Sequence, residues 1–287
     1  MIPAMVASVE TMLERWRQNE VKETEVFQEF KVLTCEIISR TAFGSSYLEG
    51  KNIFDLLARM ASIVSRNNFK VGIPGIRKFL KTRDDTESEE LEQGIRDSII
   101  KLINRREEGL LMAIHSDWQD KAREEVLKLF GKQNPSPDGI GRLKIMSMII
   151  NESLRLYPSV FNITREVQKE VRLGKIIIPE KMAVCLPILA VHDNSQVWGE
   201  DAHFFKPERF ADGVAKATKN NTSGFFSFGS GPRSCVGLNF ATTEIKIALS
   251  MILQNYKFTL SPTYLHSPVH ILTICPQYGL QIMLEAL

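Results

Sequence analysis

The stretch Phe225–Ala241 reads FFSFGSGPRSCVGLNFA and holds one cysteine, Cys235, among three glycines. Apolar residues at helical spacing follow, so a helix is predicted to begin directly after the cysteine. The N–H groups and positive dipole end of a helix start favour a thiolate over a thiol. Glycines let the backbone approach a flat ligand closely, and Arg233 is suited to pair with a carboxylate. These residues describe a slot for a planar, carboxylate-bearing group that is bound through sulfur.

Other chemistries use similar loops. A reactive thiol needs a neighbouring base, and no histidine adjoins Cys235 in the sequence. A phosphate-binding loop of the GxxxxGK[ST] type is absent. Judged by residue types alone, a buried structural cysteine on a glycine-rich loop stays open as the simplest alternative.

Composition narrows the class of protein. The chain has 287 residues, of which 44% are hydrophobic and 24% charged, with a formal net charge of +2. These values exclude disordered and collagen-like proteins and do not indicate a nucleic-acid partner. The four cysteines form no CxxC pair, which favours neither a zinc knuckle nor a disulfide framework. The N-terminus lacks both a basic signal-peptide region and an apolar run of membrane-spanning length.

Apolar periodicity predicts a helical first half and a mixed second half. The predicted helices are Ile2–Gln18, Val26–Phe43, Ile53–Asn67, Ser88–Arg106, Leu110–Phe130 and Leu143–Tyr157. We then expect a hairpin over Val167–Pro179, a strand over Met182–Val191 and, after the helix that follows Cys235, a β-rich tail over Tyr256–Leu284. This order predicts an α+β fold that is mainly α.

The ten residues Phe228–Gly237 (FGSGPRSCVG) resemble the cysteine-loop signature of cytochromes P450 at every fixed position. The resemblance implies that Cys235 is the proximal ligand of a heme iron and that Arg233 pairs with a heme propionate. A thiolate ligand pushes electron density onto the iron and favours O–O cleavage.

The same resemblance assigns further cofactor contacts. Phe228 would pack beneath the thiolate, while Gly231 and Gly237 would leave clearance for the ring. Arg165 stands where the family has a second propionate-binding arginine. A loose surface arginine is the alternative there.

A charge motif lies upstream of the cysteine loop. Glu152 and Arg155, at i and i+3 of a predicted helix, face the same side and can pair. Alone, such a pair indicates a solvated bridge worth at most about 1 kcal/mol. However, Phe205–Phe210 (FKPERF) resembles the family's PERF element, which implies a buried structural triad of Glu152, Arg155 and Arg209 under the heme.

The tail from Phe258 resembles the membrane-bound plant branch that oxidises terpenoids and steroid-like hormones. The family implies a helical bundle with small β-sheets around a heme. It also implies a monooxygenase that inserts one atom of O2 into a small apolar substrate, with electrons from NADPH through a reductase at the cytosolic face of the endoplasmic reticulum. We expect one incomplete domain over 1–287, with a helical region at 1–142 and a heme-binding core at 143–287.

Two parts of the family pattern are missing from the sequence. By comparison with the family, we expect the anchor and the early N-terminal region to be absent, and the sequence shows no acid-or-Gly, Gly, x, x, Thr motif of the central oxygen-activating helix. Ile103–Glu108 runs directly into Gly109–His115, which resembles the end of that helix. A splice form, a pseudogene product or a faulty gene model would explain the gap. The alternative function is therefore an inactive heme-binding form, and a chain that fails to fold or a cysteine-dependent enzyme remain further possibilities.

Overall fold

The computed structural model describes residues 1–18, 22–43, 107–160, 162–221, 223–270 and 274–287. The helices predicted at Ile53–Asn67 and Ser88–Arg106 lie outside these residues. The α-helices are α1 (Ile2–Gln18), α2 (Val26–Ile38), α3 (Glu107–Ile114), α4 (Ser116–Phe130), α5 (Pro137–Arg142), α6 (Lys144–Leu156), α7 (Ile188–His192), α8 (Ser195–Trp198), α9 (Val214–Ala217) and α10 (Leu238–Asn255). The strands are β1 (Glu23–Glu25), β2 (Asn162–Glu166), β3 (Val171–Leu173), β4 (Ile176–Ile178), β5 (Ala183–Pro187), β6 (Tyr256–Leu260), β7 (Pro268–His270), β8 (Ile274–Pro276) and β9 (Gln281–Ala286).

The main core lies between four helices, α1, α4, α6 and α10. On α1 the residues Met5, Val9, Met12 and Trp16 recur at helical spacing, and all four are buried. α1 packs on α10, which also contacts α4, and α6 contacts both α4 and α10. The helix that carries Glu152 and the helix that follows Cys235 are therefore parts of one packed unit.

The sheets are small and antiparallel. The largest has the order β1-β9-β6, and β2-β5, β3-β4 and β7-β8 form two-stranded pairs. Gly174 turns the β3–β4 hairpin with a φ of 60°, a left-handed conformation that suits glycine. The hairpin, the β-rich tail and the mainly α, α+β fold class are confirmed.

Two predicted elements were wrong in extent. The helix predicted over Leu110–Phe130 breaks at His115, whose φ of −103° and ψ of 77° are not helical. The strand predicted over Met182–Val191 ends at Pro187, and α7 begins there instead. Proline has no N–H with which to continue a strand ladder, and its fixed φ suits the start of a helix. None of the helices among the described residues is both long and apolar enough to cross a lipid bilayer.

Candidate cofactor site

The cysteine loop is a tight, hydrogen-bonded turn. Gly229 and Gly231 have φ values of 75° and 73°, in the left-handed region that other residues rarely adopt. Cys235 donates its backbone N–H to the Phe228 carbonyl at 2.8 Å, and this bond closes the loop. The glycines thus bend the chain so that the cysteine stands directly before α10.

The Cys235 side chain is exposed to solvent at the N-terminal end of α10. Gly237 is the buried N-cap of that helix, and no side chain caps its first turn, which also carries no acidic residue. The free N–H groups and the helix dipole make this end of the helix suited to an anionic group. Val236 and Leu238, which follow Cys235 closely in the chain, have exposed apolar side chains, Val236 being 85% exposed.

The arginines predicted to bind carboxylates are available for that role. Arg233 lies in the one-turn 3₁₀ helix Gly231–Arg233, is exposed, and makes no ion pair within the described part of the chain. Arg165 lies on β2 opposite Val184, and its one hydrogen bond among the described residues goes to the neighbouring Thr164 carbonyl, at 3.0 Å. Phe228 is partly buried and packs against the main core.

These residues fit a heme. The described residues contain no group of three or more His, Cys, Asp or Glu side chains that could hold a metal ion together. An exposed thiol, flanking apolar side chains and unpaired guanidinium groups match a flat apolar ring that carries both an iron and carboxylates. A catalytic thiol has less support, because His192, which contacts the loop, has both ring nitrogens engaged.

The structure brings the three members of the predicted charge triad together. The two oxygens of Glu152 accept from Arg155 Nε at 2.7 Å and from its terminal nitrogen at 2.9 Å, with both side chains at most 1% exposed. Arg209 Nε lies 3.4 Å from the nearer Glu152 oxygen. Arg155 also donates to the carbonyls of His192, at the end of α7, and of Phe204. These bonds connect α6 with α7 and with the irregular segment that follows it.

Asp201 extends this charge group, and the sequence patterns did not single it out. It pairs with Lys206 and, at 2.7 Å, with Arg209. The Lys206 and Arg209 hydrogen bonds lower the pKa of the Asp201 carboxyl to about 2. Asp201 and Lys206 both lie shortly before the PERF turn at Pro207–Phe210, and this closeness to the motif was the available signal in the sequence.

His192 is the second residue that sequence patterns missed as a site residue. It is 1% exposed, and its ring stacks on Phe225 with centroids 5.2 Å apart. Burial lowers the pKa of His192 to about 4, so the ring is neutral at pH 7. It bonds only backbone atoms, at Arg155 and Phe226, and backbone partners leave no signature in residue types.

Comparison with known proteins shows the family of the chain and its fold. The cytochrome P450 family model matches residues 110–272, which include the charge triad and the cysteine loop. The retinoic acid-bound cyanobacterial CYP120A1 structure shares the fold, with a TM-score of 0.79 at 21% identity, over 100% of this chain and 74% of that one.

Plant relatives cover the whole chain. Cytochrome P450 CYP749A22 of Panax ginseng is 50% identical over 346 aligned positions, which cover 100% of this chain and 66% of the relative. The 11-oxo-beta-amyrin 30-oxidase of Glycyrrhiza uralensis is 37% identical and matches over 100% of this chain and 67% of its own length. The chain thus spans about two thirds of the length of these relatives.

The alignment with the ginseng protein is longer than the chain itself, since it spans 346 positions and the chain has 287 residues. That relative therefore has residues inside the matched segment that this chain lacks. The family match, the shared fold and the plant relatives lead to one assignment, together with the heme cofactor that it implies. The chain belongs to the cytochrome P450 family.

Proposed function

We propose that this chain is the heme-binding portion of a plant heme-thiolate monooxygenase, with Cys235 as the proximal ligand of the iron. The observation that carries the proposal is the exposed side chain of Cys235 directly before the uncapped start of α10. The preceding loop is closed by the hydrogen bond from the Cys235 N–H to the Phe228 carbonyl. We treat residues 1–287 as a single, incomplete domain, with its cofactor core in 143–287.

Each residue of the site has a distinct task in this proposal. Cys235 binds the iron from the N-terminal end of α10, and the Phe228 carbonyl holds the loop closed by accepting the backbone N–H of Cys235. Arg233 and Arg165 bind the two propionates, while Gly231 and Gly237 leave space beside the ring. The bound heme would supply the activation of O2, and a thiolate ligand favours O–O cleavage.

The triad of Glu152, Arg155 and Arg209 has a structural task. It holds α6 against the segment that leads to the cysteine loop, and removal of one member would leave a buried charge without its partner. We therefore expect its loss to release heme by loosening the loop.

We further propose that the substrate is a small apolar molecule of terpenoid or steroid-like type. Support comes from two relatives named 11-oxo-beta-amyrin 30-oxidase, 37% and 35% identical to this chain. Electrons would come from NADPH through a cytochrome P450 reductase at the cytosolic face of the endoplasmic reticulum. Turnover of a terpenoid panel with reductase and NADPH tests this part.

The absorption spectrum of the reduced, CO-bound protein tests the ligand. We expect the red-shifted Soret band of a thiolate-bound heme, its loss in Cys235→Ala and its retention in Cys185→Ala. Cys185 is the matched control because it is also an exposed cysteine but lies on β5, a different element from the cysteine loop. A band at the histidine-type position, or a red-shifted band that survives in Cys235→Ala, would refute the assignment.

A second candidate is a heme-binding form that does not turn over. It is favoured by the alignment, because the ginseng relative has residues within the matched segment that this chain lacks. The sequence places the gap before Gly109, where the family's oxygen-activating helix belongs. Heme binding with NADPH consumption but no oxygenated product would support this candidate, because a dry and ordered distal site is needed to couple the reaction.

A further inference from the structure

His192 connects two elements of the site through both of its ring nitrogens. Nδ1 lies 3.1 Å from the Arg155 carbonyl in the last turn of α6. Nε2 lies 3.2 Å from the backbone nitrogen of Phe226, nine residues before Cys235. The ring is buried against Phe225, Phe226 and Trp198.

These two partners determine where the proton lies. The Phe226 nitrogen can only donate, so Nε2 must accept and carries no proton. The Arg155 carbonyl can only accept, so Nδ1 must be protonated and donate. Neither bond can be kept if the tautomer is reversed, and a charged ring would lose the Phe226 bond. The low pKa of the buried ring agrees with this neutral form.

Further hydrogen bonds connect the segment at Phe226 with Cys235. The Phe226 carbonyl accepts the N–H of Gly229 at 2.8 Å, and the Phe228 carbonyl accepts the N–H of Cys235 at 2.8 Å. Between them, the Ser227 hydroxyl donates to the Leu154 carbonyl of α6 at 2.9 Å. The segment that leads into the cysteine loop is thus attached to α6 at two adjacent residues, at Phe226 through His192 and at Ser227 directly.

We infer that His192 is a positioning residue, which in its Nδ1–H form fastens the cysteine loop to α6 and so sets the position of the Cys235 thiolate. This inference rests on the proposed function of Cys235. A positioning role differs from a packing role, because a ring that only filled space could be replaced by any side chain of similar size without loss of the loop's position.

The tautomer is tested without heme. Nitrogen NMR of the histidine-labelled chain at pH 7, with the His192 signal assigned by its loss in H192Q, should show a neutral ring with the proton on Nδ1. A neutral ring protonated on Nε2, or a charged ring, would overturn the inference whether or not the chain binds heme.

Two variants separate the two bonds. Glutamine reaches the Nε2 position, where its oxygen can accept from Phe226, whereas asparagine reaches only the Nδ1 position. We expect H192Q to retain the slow hydrogen exchange of the Phe226 and Cys235 amides and H192N to lose it. In the heme-loaded protein, H192Q should keep the red-shifted CO band while H192N converts much of it to the histidine-like position.

Ile252→Ala is the matched control, because Ile252 is buried near the far end of α10 and its truncation destabilises the core without touching the loop. It should lower the melting temperature and leave the CO band in place. Equal effects of H192Q and H192N, or band changes that simply follow the melting temperature in all three variants, would overturn the inference. If no variant and no wild-type protein bound heme, the proposed function would fail, and the Cys235 amide exchange would still decide the role of His192.

Discussion

Arg155 and His192 are bonded to each other in both directions. The Arg155 guanidinium donates to the His192 carbonyl at 2.9 Å, and His192 Nδ1 contacts the Arg155 carbonyl at 3.1 Å. The end of α6 and the end of α7 are thereby held together by two reciprocal, buried hydrogen bonds. The same arginine pairs with Glu152, so the ion pair and the histidine form one buried network.

Loss of one partner from this network should be costly. Glu152→Gln leaves Arg155 buried with a neutral partner, and we expect a fall of about 3–5 kcal/mol in the free energy of unfolding. Chemical denaturation measures it. Lys216→Ala is the control, because its bridge to Asp212 is exposed and should contribute at most about 1 kcal/mol. Equal effects of the two substitutions would contradict the account.

Stability should depend on pH through His192. Its pKa falls from an ordinary 6.5 to about 4 in the folded chain, mainly through burial. Between these values the unfolded chain binds a proton that the folded chain does not, so stability decreases as the pH falls from about 6.5 to 4. The loss is on the order of 3 kcal/mol.

Unfolding of wild type and H192Q over this pH range measures the effect. The plot of unfolding free energy against pH should be flatter for H192Q, because the contribution of His192 is missing. The Asp201 carboxyl contributes in a lower window, between its ordinary 3.8 and about 2, because Lys206 and Arg209 stabilise its anion. Identical slopes between pH 6.5 and 4 in both proteins would show that His192 is not buried as described.

The left-handed turn at Gly231 should resist substitution. Gly231→Ala adds a Cβ that meets no atom within 4 Å, so the cost comes from its φ of 73° alone, about 1–2 kcal/mol. Gly231→Asn should cost less, because asparagine tolerates this conformation. Gly141→Ala is the control, since it lies in α5 with open space and should be neutral or stabilising. Thermal unfolding compares them, and a cost at Gly141 that matches the cost at Gly231 would contradict the prediction.

The start of α6 depends on a carboxylate from α4. Glu125 accepts the N–H groups of Lys144, Ile145 and Met146 at 2.7–3.0 Å, and Leu143 at the N-cap provides no side-chain bond. Glu125→Ala should therefore lower stability by about 1–2 kcal/mol. Its exposed neighbour provides the control, Glu124→Ala, with little expected change. A larger loss for the control would show that the cap is not as described.

Local patterns predicted much of the fold. Apolar spacing predicted α1 at its observed bounds, and the hairpin predicted over Val167–Pro179 is present as β3 and β4. The limits of the other elements depended on local geometry, as at His115 and Pro187, where periodicity alone could not indicate a break.

The site was harder to predict than the fold. An i, i+3 pair such as Glu152 and Arg155 has the same spacing whether it is buried or exposed, so only the family resemblance indicated burial. The role of His192 depends on two backbone atoms, the Arg155 carbonyl and the Phe226 nitrogen, that folding brings to its ring from distant parts of the sequence. Residue types do not encode such partners, and the tertiary structure was needed to find them.

The identity of the iron's sulfur ligand is the central claim, and X-ray absorption at the iron edge of the purified, heme-loaded chain tests it most directly. The account predicts one sulfur atom bonded to iron, present in the wild type and in Cys185→Ala and absent in Cys235→Ala. An iron bonded only to nitrogen and oxygen in the wild-type protein would contradict it.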